Sequence, residues 1–216
     1  NNTEPFSIGY GGVDKAAQFD GMIDDARFWN VARTDVEIAT NYQTALVGNE
    51  ANLMGYWQLN NDYQDTTTNG NHLTSYHNPS FSTNVPFGAP APPPTPSPNT
   101  HSLDLEYDSL QGAEIGDSTQ TGLESSGDFT VEAWVKPEQI TYGTNVVVKR
   151  HGGTGKGYGL LTYPGGYLYA DVIDGSNNVS AAKTTNSLPL GEWHHVAMVW
   201  KEATHEIDLY IDGVNQ

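Results

Sequence analysis

Apolar and polar side chains alternate with period two along much of this chain, which predicts strands. In residues 129–136, Phe129, Val131, Ala133 and Val135 alternate with Thr130, Glu132, Trp134 and Lys136. In residues 206–212, Ile207, Leu209 and Ile211 point one way, and Glu206, Asp208, Tyr210 and Asp212 the other. Residues 6–10, 53–60, 72–76, 146–148 and 193–200 read as further strands. Residues 157–163 and 166–173 are joined by Pro164-Gly165, a hairpin signal. One segment departs from period two. Thr34-Asp35-Val36-Glu37 has capping-box spacing, and Val36, Ile38, Ala39 and Tyr42 follow at helical intervals, predicting a short helix over about residues 34–45. Many short strands with turns every ~8–12 residues predict an all-β sandwich with one short helix.

Residues 19–30 form the most informative strand. Strict alternation puts Met22, Ala26 and Phe28 on one face and Ile23 and Trp29 on the other, so both faces are expected to be largely buried. Asp24 and Asp25 sit at its middle. Two adjacent buried carboxylates are costly unless Arg27, a metal ion or backbone donors neutralise them.

Composition narrows the function classes. Hydrophobic residues make up 37% of the 216, enough for a substantial core in one large or two small domains. Nine Lys+Arg against 26 Asp+Glu give a formal charge of -17. That balance argues against nucleic acid and anionic membrane surfaces as partners. It fits solubility or cation binding. There is no Cys, hence no disulfide and no thiolate metal site. No run approaches the ~18 apolar residues of a membrane span, so no direct membrane insertion is expected. Residues 88–100 are Pro-dense, uncharged and free of aromatics, and read as a semi-rigid linker between 1–87 and 101–216. Ile211-Asp212-Gly213-Val214 is a hairpin turn that reaches Gln216 before a return strand is expected to form. The opening Asn-Asn-Thr is read as the start of a piece cut from a longer precursor.

With these segments laid out, the chain resembles the laminin G-like, concanavalin A-like jelly-roll family of bacterial extracellular proteins. Ser102-Leu103-Asp104-Leu105, Ala113-Glu114-Ile115-Gly116-Asp117, the stretch 127–137, Leu190-Gly191-Glu192-Trp193-His194-His195 and Leu209-Tyr210-Ile211-Asp212-Gly213 carry the likeness in family order. Ile8-Gly9, the stretch 19–34, Leu53-Met54-Gly55-Tyr56-Trp57 and Asp65 with Asn69-Gly70-Asn71 continue it. One departure is Glu106-Tyr107, where an Asp-Gly is usual. The order is wrapped: 101–216 resembles the front of such a domain and 1–87 the back, the two together making one complete domain, within a chain or between copies. The resemblance implies a two-sheet antiparallel jelly-roll sandwich. It also implies a secreted, non-catalytic module for adhesion or extracellular assembly, with copies of itself, neighbouring repeats or glycans as partners. A repeating filament subunit completed by neighbouring copies is the alternative.

Three constellations invite chemistry. Asp24, Asp25, Asp65, Asn69 and Asn71 are suitable oxygen ligands, and the resemblance implies a structural Ca²⁺ there. The plainer reading is an Asx-rich turn beside an Asp25–Arg27 ion pair, and Asp104, Asp108 and Asp117 are weaker alternatives for a cation. Tyr158, Tyr163, Tyr167, Tyr169 and Asp171 offer aromatic faces and a polar group for a glycan, against ordinary cross-strand packing. Trp134, Trp193 and Trp200 read as core. Glu206 and Asp208 match the first two carboxylates of a glycosidase strand, but Tyr210 stands where the third should be, so no catalytic residue is assigned. His194 and His195 point to opposite faces and are not expected to share an ion.

Overall fold

The computed structural model describes residues 3–11, 17–87, 98–124, 126–150 and 156–216. Most of the expected Pro-rich linker, residues 88–97, lies outside the described residues. In chain order the elements are β1 (Phe6–Ile8), β2 (Asp20–Trp29), α1 (Asp35–Asn41), β3 (Leu53–Trp57), β4 (Thr74–Tyr76), β5 (Ser80–Ser82), β6 (Ser102–Leu105) and β7 (Gly112–Ile115). Then come β8 (Phe129–Gln139), β9 (Thr144–Lys149), β10 (Gly157–Tyr163), β11 (Tyr167–Ile173), β12 (Val179–Ser187), β13 (His194–Lys201), β14 (Glu206–Ile211) and β15 (Val214–Asn215).

They form an all-β, two-sheet antiparallel sandwich with one short helix. The seven-stranded sheet has the order β12-β11-β10-β9-β1-β7-β4, and the eight-stranded sheet β15-β14-β13-β8-β2-β6-β5, with β3 also on β2. Strands from the two ends of the chain interleave in both: β1 lies between β9 and β7, and β2 between β8 and β6. The expected absence of a return strand is corrected. Asp212 (φ +50°) and Gly213 (φ +76°) make a tight turn with two positive φ angles, the geometry that suits a two-residue hairpin, and β15 pairs Tyr210 with Asn215 and Ile211 with Val214.

The core lies between the sheets. Phe28, Phe129 and Tyr158 form a ring cluster with centroids 4.8–5.7 Å apart, and Phe6 stacks on Trp57 at 4.8 Å. Each of these side chains is essentially removed from water, a contribution on the order of 1.5–3 kcal/mol apiece.

The alternation expected for β2 holds only in part. Ile23, Ala26 and Phe28 enter the core together, whereas strict period two separates Ile23 from Ala26. The cause is a bulge. Asp24 faces Trp134 and Arg27 faces Glu132, so Asp25 and Ala26 together oppose the single residue Ala133. Asp25 takes φ +51°, a left-handed conformation that Asp reaches more readily than most residues. The extra residue reverses the parity of the strand.

Helix α1 packs on the outer face of the eight-stranded sheet, with Ile38 against Ala197, Val199 and Tyr210. Its capping box is formed as expected: Glu37 N–H donates to Thr34 Oγ1, and Thr34 N–H donates to Glu37 Oε2. The helix ends at Asn41 rather than near residue 45. The carbonyls beyond that point are taken by side chains of the sheet: Trp134 Nε1 donates to Tyr42 O at 3.0 Å and Arg27 Nη2 to Thr44 O at 2.8 Å.

Candidate functional site

The edge of β2 is shared between two partners. Residues 21–23 pair with β6, and residues 26–29 with β3. Asp24 and Asp25 fall in the gap, where neither neighbour continues the ladder. The chain leaving β3 and the chain entering β6 meet over this gap: Asn60 Oδ1 accepts from Thr100 N at 2.7 Å and from His101 N at 3.0 Å. Asn99 Nδ2 donates to Asp24 Oδ2 at 2.7 Å, and Asp25 N–H donates to Asp24 Oδ1. A small, partly open cleft lies here, lined by Asp25, Ala45, Tyr56, Gln58, Asn60, Phe87 and Asn99.

Behind the cleft lies a buried network of charged groups. Arg27 Nη2 donates to Asp25 Oδ2 at 2.5 Å, and its Nη1 lies 3.6 Å from Glu132 Oε1. Glu132 is fully buried and also meets Arg33 (3.5 Å), His195 Nε2 (3.1 Å) and Trp29 Nε1, which donates at 2.8 Å. Burial acts to raise the Glu132 pKa, but the His195 contact and the charges of Arg27 and Arg33 outweigh it and hold the carboxyl well below its ordinary range. Asp24 behaves in the opposite way. Burial first and the charge of Asp25 second push its pKa well above the ordinary carboxylate value. Burial and the neighbouring Asp25 likewise raise Tyr56. Glu132, Arg33, His195, Trp29, Trp134 and Asn99 were not assigned from sequence. The available signal was the polar face of residues 129–136, which carries Glu132 and Trp134 opposite the Asp pair.

The five residues expected to share a calcium ion are not brought together as one ligand set. Asp65 accepts four hydrogen bonds: Tyr56 N and Thr67 N at Oδ1, Thr67 Oγ1 and Asn71 N at Oδ2, all within 3.0 Å. Asn69 and Asn71 both donate to Met54 O, and Asn71 further donates to Thr121 O and accepts from Thr121 N. Protein donors thus occupy both carboxylate oxygens of Asp65 and the side-chain oxygen of Asn71. Asp24 and Asp25 have their own partners in Asn99 and Arg27. Among the described residues no group of three or more His, Cys, Asp or Glu side chains is placed to hold a metal ion. Of the weaker alternatives, Asp117 is paired with Lys149 at 2.7 Å.

The aromatic set divides. Tyr158 is corrected to the core: it faces Val172 across β11, packs on Phe28 and Phe129, and its hydroxyl donates to Leu123 O at 3.0 Å. Parity explains this, because Tyr158 and Tyr163 are an odd number of positions apart on β10. Tyr163, Tyr167, Tyr169 and Asp171 do share the outer face of the seven-stranded sheet. Tyr163 pairs with Tyr167 across the hairpin and its ring lies 4.7 Å from that of Tyr169. Lys183 Nζ sits 4.5 Å from the Tyr167 ring, and Arg150 Nε 2.9 Å from Asp171 Oδ1. Burial raises the Asp171 pKa, and Arg150 opposes that.

Of the three tryptophans read as core, Trp200 and Trp134 are buried, Trp200 between the sheets, and Trp193 is not. Trp134 is buried on the outer face against Tyr42, Phe87 and His195, and Trp193 bonds Asn84 at the surface. His194 pairs with Asp212 and His195 with Glu132, each on its own side of β13. Along β14, Asp208 is engaged by Lys201, and Tyr210 donates to Asp35.

Comparison with known proteins places this architecture. Residues 110–216 match the model of the concanavalin A-like lectin/glucanases superfamily. The chain is 28% identical over 113 residues, 52% of its length, to the rat sushi, von Willebrand factor type A, EGF and pentraxin domain-containing protein 1, of which it spans 3%. No solved structure matches. No helix among the described residues is long and apolar enough to cross a membrane. The matched segment supplies β7 to β15, and over it the chain belongs to the concanavalin A-like lectin/glucanases superfamily, as a laminin G-type β-sandwich.

Proposed function

We propose that this is a non-catalytic, extracellular binding module for adhesion or assembly, recognising a glycan on the outer face of the seven-stranded sheet. The observation that carries the reading is the pair of rings Tyr163 and Tyr169, 4.7 Å apart, with Tyr167 beside them and the Arg150–Asp171 ion pair one step along the same face. Tyr163 keeps 40% of its surface exposed. Aromatic faces stack on the apolar side of a sugar, and an adjacent ion pair offers both donors and acceptors to its hydroxyls. The superfamily to which residues 110–216 belong supports a carbohydrate- or protein-binding role. The interleaved strands support reading residues 1–87 and 101–216 as two parts of one domain. They favour a binding module over a filament subunit, since the pairing that would join copies is made within the chain.

A glycan array followed by calorimetry on its best hit tests this. Tyr163→Ala and Tyr169→Ala are expected to weaken binding at least tenfold while leaving the melting temperature nearly unchanged. An array with no saturable hit, or a hit indifferent to both substitutions, sinks the reading.

A further inference from the structure

The tyrosine face of the seven-stranded sheet also carries a cation that the chain leaves without a counter-ion. Lys183 stands on β12, the edge strand, in register opposite Tyr169. Asp171 lies one step along the same face, opposite Ala181, within diagonal reach of a long side chain. Lys183 does not turn to it. Arg150 already holds Asp171, and Lys183 extends the other way, to put Nζ 4.5 Å from the centre of the Tyr167 ring. Among the described residues Lys183 is exposed and makes no ion pair. Arg27, Arg33 and Lys149 are by contrast buried against carboxylates, and Lys201 sits on Asp208. With 26 Asp+Glu for nine Lys+Arg, carboxylate partners are plentiful in this chain, and Lys183 stands apart from them.

We propose that the glycan recognised on this face is acidic, and that Lys183 selects it by donating to a carboxylate or sulfate group of the bound sugar. The proposal rests on the glycan reading above and narrows it. A cation within about 6 Å of a ring centre is attracted there by the quadrupole of the ring, so the ammonium is held beside the aromatic row. The ring offers it only a weak N–H···π contact, and an ammonium has three donors to give. Tyr167 in turn faces Tyr163 across the hairpin, and Tyr163 meets Tyr169 at 4.7 Å. Stacking on these rings engages the apolar side of a sugar and leaves its polar substituents free. An acidic substituent then finds the ammonium next to the stacking surface. The Arg150–Asp171 pair cannot make this choice, because its two charges cancel, whereas Lys183 adds a net positive charge. The overall charge of -17 opposes acidic ligands only at long range. At physiological salt that field is screened within about 8 Å, and the local ammonium decides.

A glycan array on the full chain tests this, with every hit repeated on Tyr163→Ala to retain only those that use this face. The retained hits are expected to be acidic. Lys183→Gln should weaken them at least tenfold and leave the melting temperature unchanged, since the side chain is exposed. Removing the charge of the sugar itself, by reducing its carboxylate or cleaving its sulfate, should weaken binding to the unsubstituted protein by a similar factor. Whichever treatment does so identifies the acid. Lys183→Glu keeps a charge on the edge strand, where it still discourages pairing between molecules, yet it should abolish binding. Retained hits that are neutral as often as acidic, or acidic hits indifferent to Lys183→Gln, overturn the proposal and leave the glycan reading standing. An array with no hit that depends on Tyr163 overturns both.

Discussion

Glu132→Gln is the sharpest perturbation of the outer-face network. Glutamine keeps the shape of the side chain and an oxygen for the Trp29 indole. It removes the negative charge that Arg27, Arg33 and His195 all face. Arg27 retains Asp25 at 2.5 Å, so the main loss falls on Arg33. That guanidinium keeps only its place 4.1 Å from the Trp29 ring and a long bond to Glu37 O. Leaving a buried charge without its counter-ion costs about 3–5 kcal/mol. At about 2–4 °C per kcal/mol for a chain of this size, the melting temperature should fall by roughly 6–20 °C.

The pH dependence fixes the sign independently. The folded pKa of Glu132 is depressed. Its stabilisation is therefore complete above the unfolded carboxylate value of about 4.3 and is lost as pH falls through the folded value. The gap between wild type and Glu132→Gln should narrow below about pH 4.3. Circular-dichroism melts at several pH values, with Arg33→Met alone and combined with Glu132→Gln, measure both effects. The double variant should recover at least ~1 kcal/mol relative to additivity, because the orphaned cation is gone. A Glu132→Gln melting point within 2 °C of wild type, or strict additivity with Arg33→Met, would refute the argument.

Three further outcomes follow from the same contacts. Asp24→Asn should leave the protein as stable at pH 7 or more so, since burial and Asp25 already disfavour the Asp24 charge and an Asn99 amide flip restores the hydrogen bond; a drop beyond ~1 kcal/mol in a urea titration would count against this. Asp65→Ala, which strips four hydrogen bonds from a buried loop, should cost about 2–4 kcal/mol, and by the same amount with calcium or with EDTA; a chelator-dependent loss would restore a metal role for that loop. Tyr158→Phe should cost about 1 kcal/mol through the lost bond to Leu123 O and leave glycan binding untouched, whereas a binding defect would contradict its place in the core.

The strands with clean alternation were legible in the sequence because one face had no choice but to be buried. Residues 157–163 on one side of Pro164-Gly165 are β10 as read, and β8 keeps Val131, Ala133 and Val135 in the core as its pattern requires. The capping box at Thr34 and Glu37 was equally local and equally readable. The end of α1 was not, because it is set by Arg27 and Trp134 reaching across from strands that no helical pattern mentions. In β2 the rule failed at one residue. A bulge carried by Asp rather than Gly leaves no mark in the hydrophobic pattern, yet it turns Asp24 and Asp25 toward Asn99 and Arg27 rather than toward the Asp65 loop. The carboxylates were thus visible as a site in sequence, while their partners depended on register, which is a property of the assembled sheet.

The central position of β2 has a consequence for how the chain folds. Trp29 and Glu132 are 103 positions apart, and at about 5–20 residues per second a ribosome needs roughly 5–20 s to make the chain between them. For most of that interval β2 has neither β8 nor β6 to pair with, because β6 (Ser102–Leu105) is made late in it and β8 only at its end. A segment rich in Ile, Phe and Trp, left open along an edge, is the kind that pairs with other nascent chains. Asp24, Asp25 and Arg27 stand in its middle and oppose such pairing by charge. Folding dominated by contacts this distant in sequence is slow, so the charged residues that are later buried at the middle of β2 protect the strand during its wait.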